Sequence, residues 1–211
     1  MGTLANAMRG LIISAVIVSQ AHAYSPEWLD AICIVQAGSA RGTGVVVSCT
    51  QGKAVLLTNH HVVGRARTIT ATWENGYTAR GSVVWRDRNA DQAIVQIQLP
   101  EDSACLPVST KGERPHAGDA VQIAAFGGGK GELTVWNSKV NGYRESSSGR
   151  HEIEVYGNVI SGDSGGAIIH NDKIVAVLWG GPVKNTPSGP RIYATRGTIA
   201  EFAIFRCPKG T

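Results

Sequence analysis

The chain is built from short β-branched and apolar runs, each cut off by Gly, Asn or Ser before it reaches helical length. Five runs, 32–36, 44–48, 54–58, 68–73 and 93–99, precede residue 100. Six more follow, at 120–125, 133–140, 153–155, 167–170, 174–179 and 191–195. Runs of this length and spacing cannot bury themselves as helices; they pair side by side and predict an all-β barrel or sandwich. Between the two groups, the segment 100–114 is polar, bounded by Pro100 and Arg114, and has no sustained period. It reads as a linker, which divides the chain into an N-terminal unit over 24–100, a linker over 101–114 and a C-terminal unit over 115–198. The last run, 199–205, places apolar residues at helical spacing and predicts a short C-terminal helix within 199–211.

The first 23 residues have a different pattern. Arg9 stands in a short polar start, an apolar run covers 11–18, and Ala21-His22-Ala23 offers a small-x-small cleavage site. This is the form of a secretion signal; the apolar run is well short of the roughly 20 residues that span a bilayer. The expectation is an exported chain, secreted or periplasmic, that starts at Tyr24 and has no membrane partner after cleavage. With 43% hydrophobic residues in 211, the remainder can bury substantial cores. The formal net charge is only +4, and the basic residues are scattered without interleaved aromatics, so nucleic acid is not an expected partner. No Cys/His pair has the paired spacing of a metal site, and Gly127-Gly128-Gly129-Lys130-Gly131 lacks the spacing of a phosphate loop. No cofactor is therefore expected.

Three segments carry chemistry: Leu57-Thr58-Asn59-His60-His61-Val62-Val63, Asn89-Ala90-Asp91-Gln92-Ala93-Ile94-Val95 and Gly162-Asp163-Ser164-Gly165-Gly166. A serine hydroxyl needs an imidazole to take its proton, and the imidazole needs a carboxylate to fix its tautomer and stabilise its charge. Glycines beside the serine let the chain turn tightly enough for backbone N–H groups to face one developing oxyanion. The order His, Asp, Ser excludes the nucleophile-elbow hydrolases, whose acid and histidine follow the serine, because only His170 lies downstream and no carboxylate intervenes. His116, His151 and His170 stand alone and read as structural.

Thr58-x-x-His61-Val62, Asp91 ahead of an apolar strand, and the 162–166 pentapeptide together resemble the chymotrypsin-fold, trypsin-like serine proteases. The Thr-Asn-x-His-Val-Val wording is most similar to the bacterial Deg/HtrA protease domain, without a PDZ-sized extension. This resemblance implies two six-stranded antiparallel Greek-key barrels, with His61 and Asp91 on the first and Ser164 on the second. It makes His61 the general base, Asp91 its orienting acid and Ser164 the nucleophile, with the N–H groups of Gly162 and Ser164 as the oxyanion hole. The Thr-x-x-His spacing selects His61 over His60. The two-residue offset from the strand selects Asp91 over Asp87, which reads as a turn residue.

The same resemblance places Asn158 at the base of the pocket for the residue before the cut, Leu178-Trp179-Gly180 along the edge a polypeptide substrate would extend, and Arg191 at a second pocket position. An asparagine there does not favour cleavage after Lys or Arg, and Arg191 would suit an acidic side chain. Leu178 stands where a serine commonly supports the aspartate. No Ile-Val-Gly-Gly activation site is present, so zymogen cleavage is not expected and Asp163 lacks a new N-terminal amine as partner.

Cys33, Cys49, Cys105 and Cys207 allow three disulfide connectivities. A hairpin through 38–42 would bring Cys33 opposite Cys49, and the resemblance implies Cys105 to Cys207. The function expected is an exported serine endopeptidase acting through an acyl-enzyme. The alternative is a catalytically latent or inactive homologue that binds peptides; an esterase using the same residues is a third reading.

Overall fold

The computed structural model describes residues 27–127, 131–146, 149–157, 159–184 and 193–200. A single-turn 3-10 helix, Glu27–Ala31, leads into six strands: β1 (Ile32–Ala37), β2 (Ala40–Thr50), β3 (Lys53–Thr58), β4 (Thr68–Thr72), β5 (Thr78–Asp87) and β6 (Gln92–Gln98). A one-turn helix α1 (His60–Val63) separates β3 from β4. Every neighbouring pair is antiparallel, in the closed order β1-β2-β3-β6-β5-β4. A second barrel repeats the plan with β7 (Ala120–Ala125), β8 (Thr134–Glu145), β9 (His151–Tyr156), β10 (Ala167–His170), β11 (Lys173–Lys184) and β12 (Tyr193–Ile199). It closes in the order β10-β11-β12-β9-β8-β7. Two six-stranded antiparallel barrels are thus the architecture expected from the sequence. Where the sequence predicted a helix over 199–211, Ile199 ends β12 and Ala200 is a buried turn residue whose N–H donates to the Val175 carbonyl at 3.0 Å; 201–211 lie outside the described residues, as does the expected signal at 1–23.

The alternation that built the sequence reading is visible as burial. β3 and β6, paired from Lys53↔Gln98 to Thr58↔Ala93, bury Leu56, Leu57, Ile94 and Val95 completely. Full burial of such a side chain contributes about 1.5–3 kcal/mol. That core does not stop at the barrel wall, because Ala124, Phe126, Ile169 and Ile174 of the second half belong to the same cluster. A smaller cluster around Ile123, Ile153, Ile168 and Leu178 fills the second barrel itself.

The segment between the barrels is pinned at several points. Leu106 N–H donates to the Val46 carbonyl at 2.8 Å, and Ile174 N–H donates to the Pro107 carbonyl at 2.8 Å. A capping box at Thr110 closes a 3-10 turn over Lys111–Glu113. Glu113 also meets Lys173, whose hydrogen bond holds the Glu113 carboxyl down at about 2.

Two expectations from the sequence require correction. β5 was not among the runs read from the sequence. Its one fully buried residue is Gly81, where a Cβ would stand 2.5 Å from Val95 Cγ1, so the partner strand supplies the volume that a strand pattern would have shown. The pairing of Cys33 with Cys49 is excluded by register. β1 and β2 meet around Ala37↔Ala40, which sets Cys33 opposite Gly44, while Cys49 faces Ala54 on β3. Cys33, Cys49 and Cys105 are free thiols, and Cys207 lies outside the described residues.

Candidate active site

The loop after β3 turns at once into α1, and this sharp corner sets the direction of His61. Asn59 occupies the helix N-cap position with extended backbone, but its side chain makes no cap bond. Instead its Nδ2 donates to the Asp91 carbonyl at 2.9 Å. Asp91 is 7% exposed and has φ of 52°, a left-handed conformation that aspartate tolerates at a cost of about 1 kcal/mol. Its carboxylate grips His61 twice: Oδ1 accepts the His61 backbone N–H at 3.0 Å, and Oδ2 lies 2.8 Å from Nδ1. With Nδ1 engaged by the carboxylate, Nε2 is left as the ring atom able to take a proton. The ring itself remains half exposed.

Ser164 arrives from the other barrel. Its loop turns through Gly162 (φ 101°) and Gly165 (φ 90°), and at Gly165 a Cβ would stand 1.8 Å from the Thr43 carbonyl oxygen, so glycine alone fits there. Thr43 on β2 fastens this loop to the first barrel. Its N–H donates to the Ser164 carbonyl at 2.7 Å, its hydroxyl donates to the Gly162 carbonyl at 2.9 Å, and the same hydroxyl accepts the Phe126 N–H at 2.9 Å. Thr58 in turn donates its hydroxyl to the Thr43 carbonyl at 2.7 Å, so the residue three before His61 and the loop of Ser164 share one support. Thr43 and Asn59 were missed by sequence reasoning. A threonine held between Gly42 and Gly44 inside a strand was the available signal for the first.

Ser164 opens on a cleft of about 240 Å³ lined by Val159, Ile160, Ser161, Asp163, Leu178 and Trp179. Leu178 is placed otherwise than as a free edge residue. Its carbonyl accepts Gly165 N–H, its own N–H donates to the Gly166 carbonyl, and its side chain sits in the second core. Trp179 lines the cleft, and Gly180 pairs with Arg196 on β12. Asn158 and Arg191 lie outside the described residues.

Asp163 is 3% exposed; its Oδ2 accepts the Ile160 N–H at 2.7 Å, and no cation pairs with it among the described residues. Burial pushes its carboxyl above the usual carboxylate range, against the smaller opposing effect of that backbone bond. Asp87 is the turn residue expected: its Oδ1 accepts the N–H groups of Asn89 and Ala90. Among the described residues no hydrogen bond joins Ser164 Oγ to His61, and no group of three or more His, Cys, Asp or Glu could hold a metal. Nor is any described helix long and apolar enough to cross a membrane.

Comparison with known proteins gives the same picture. The trypsin-like peptidase domain family matches residues 42–177. A probable periplasmic serine protease do/HhoA-like of Haemophilus influenzae is 28% identical over 141 residues, covering 64% of this chain and 30% of that protein. Serine protease Do-like HtrA of Bacillus subtilis is 28% identical over 151 residues, covering 66% and 33%. Among solved structures, the HtrA-type protease AlgW with tripeptide superposes with a TM-score of 0.68 at 20% identity, covering 85% of this chain and 59% of that one. The inactive form of Rv3671c protease gives a TM-score of 0.67 at 20% identity, covering 85% and 88%. At that identity the two structures establish the fold. The chain spans about a third of the length of the curated relatives it matches.

Proposed function

This chain belongs to the trypsin-like peptidase family, with Deg/HtrA serine proteases as its relatives, and from that premise we propose that it is an exported serine endopeptidase. The observation that carries the reading is the double grip of Asp91 on His61, through Oδ1 to the backbone and Oδ2 to Nδ1. A carboxylate so placed fixes the tautomer in which Nε2 accepts a proton, and it stabilises the imidazolium that follows. In the proposed reaction Nε2 takes the proton of Ser164 Oγ as that oxygen attacks a peptide carbonyl. The N–H groups of Gly162 and Ser164 stabilise the oxyanion, the amine leaves with the proton from His61, and water resolves the acyl-enzyme. Relatives named as periplasmic proteases, together with the leader-like first 23 residues, support export. The apolar cleft residues Val159 and Ile160 suit an uncharged side chain before the cut.

A specific observation favours a second reading, a latent protease: Asp163, beside Ser164, is buried without a cation among the described residues. Labelling with a fluorophosphonate probe separates the two. The active form is expected to be modified at Ser164, not at all in Ser164→Ala, and about 10⁶-fold more slowly in His61→Ala. Folded protein that takes no label would overturn the active-protease reading in favour of a latent or inactive, peptide-binding homologue.

A further inference from the structure

The turn that carries Asp91 is held from the second barrel. Thr198 Oγ1 donates to the Ala90 carbonyl at 2.9 Å, and Gln92 Nε2 donates to the Thr198 carbonyl at 3.2 Å. A third contact comes from Arg150, the residue before β9. Its Nε donates to the Asn89 carbonyl at 2.8 Å, two residues before Asp91. The same guanidinium lies over the ring of Trp179, with Cζ 4.3 Å from the ring centroid, and Trp179 is a wall of the Ser164 cleft. Glu152, 2% exposed, stands 3.9 Å from Arg150 Nε and 3.3 Å from Arg144 Nε, so its charge lies beside the guanidinium. The Arg150 side chain is only 15% exposed.

We propose that Arg150 is a positioning residue: it couples the Asp91 turn on one barrel to the Trp179 wall on the other, and so sets the geometry between the acid–base pair and the nucleophile. The chemistry suits arginine in particular. A planar cation can hydrogen-bond through its edge to a carbonyl while its face covers an indole, which lysine cannot do together. Asn89 and Arg150 are 61 residues apart in sequence, and the bond joins two barrels whose relative placement must be accurate for attack. A displacement near 1 Å at such a site costs about 100-fold in rate, so a partial loosening should cost less. The coupling rests on the protease reading for its consequence in rate, but not for its effect on Asp91 and His61.

Arg150→Met tests it, because methionine keeps an apolar stem over Trp179 and removes the donor to Asn89. The expected result is a fluorophosphonate labelling rate about 10-fold lower, carried by kcat rather than KM on a peptide substrate. The downfield proton resonance of His61 Nδ1–H is expected to broaden or shift, while the melting temperature stays close to that of the unmodified chain. Arg150→Lys, which restores a donor without the planar fork, should recover part of the labelling rate, and it carries the comparison if Arg150→Met does not fold. An unchanged labelling rate and an unchanged resonance would overturn the proposal. So would a rate loss fully accounted for by unfolded protein. If the unmodified chain takes no label, the protease reading fails, and the His61 resonance in the variants still decides the role of Arg150.

Discussion

At the scale of single residues, the fold spends stability to place charge. Asp91 holds a left-handed backbone, and both its carboxylate oxygens and its carbonyl are occupied by His61 and Asn59. Asp163 is the costlier residue, a carboxyl nearly sealed from water with one backbone donor. In the unfolded chain it titrates near about 4. Folding raises that value, so between the two the native state holds a proton that the unfolded state has lost. Its contribution is complete below about pH 4 and falls as pH rises through the raised native value. Asp163→Asn keeps an oxygen for Ile160 N–H and removes the titration. Calorimetry should find the variant melting above the unmodified chain at pH 8, with the gap closing toward pH 4, at about 2–4 °C per kcal/mol for a chain of this size. A gap that stays constant with pH would show that folding does not raise the Asp163 carboxyl above its unfolded value.

Among the elements, β2 carries a load that its sequence conceals. Thr43 is wholly buried, and its hydroxyl alone satisfies Phe126 N–H and the Gly162 carbonyl. Valine has the same shape without the hydroxyl, so Thr43→Val leaves both groups unpaired, at about 1–3 kcal/mol each. Urea unfolding should show a loss of about 2–6 kcal/mol, labelling of Ser164 should slow further as its loop loses the tether, and Thr43→Ser should restore most of both. β1 and β2 also set thiol chemistry. Cys33 is fully buried and burial lifts its thiol far up, while Cys49 is pushed up to about 11, first by burial and then by the neighbouring Cys105. Alkylation followed by mass spectrometry at pH 8 should modify exposed Cys105 first, Cys49 more slowly and Cys33 only on unfolding. Such couplings explain what the sequence showed and what it hid. His61, Asp91 and Ser164 were legible because each sits in a local pattern whose spacing reports a strand end or a tight turn. Thr43, Asn59 and Arg150 act through backbone groups far along the chain, and no local pattern records a partner 119, 32 or 61 positions away. β5 was hidden for a related reason, since its inward glycine makes sense only once Val95 is opposite.

Over the whole molecule, the larger core runs from the first barrel into the second half, beside the smaller cluster that fills the second barrel. Phe126, 1% exposed, follows β7 in the second half yet packs in the cluster built by the first, alongside Leu106 from the connecting segment. Trp28 before β1 donates to the Asp172 side chain beyond β10 at 3.1 Å, and Leu133 N–H donates to Glu74 at 3.2 Å. A domain whose interior crosses the boundary in this way has no stable intermediate with one barrel intact, because losing either exposes apolar surface of the other. Thermal unfolding should therefore be a single transition, with equal calorimetric and van't Hoff enthalpies. Removing the ring of Phe126 should cost about 3–5 kcal/mol, or roughly 6–20 °C in melting temperature. That loss should appear equally in fluorescence from a variant retaining only Trp73 in the first barrel and one retaining only Trp136 in the second. Separate midpoints for the two probes, or a Phe126→Ala shift confined to the Trp136 signal, would mean that the barrels fold as independent units and that the site between them forms only when they dock.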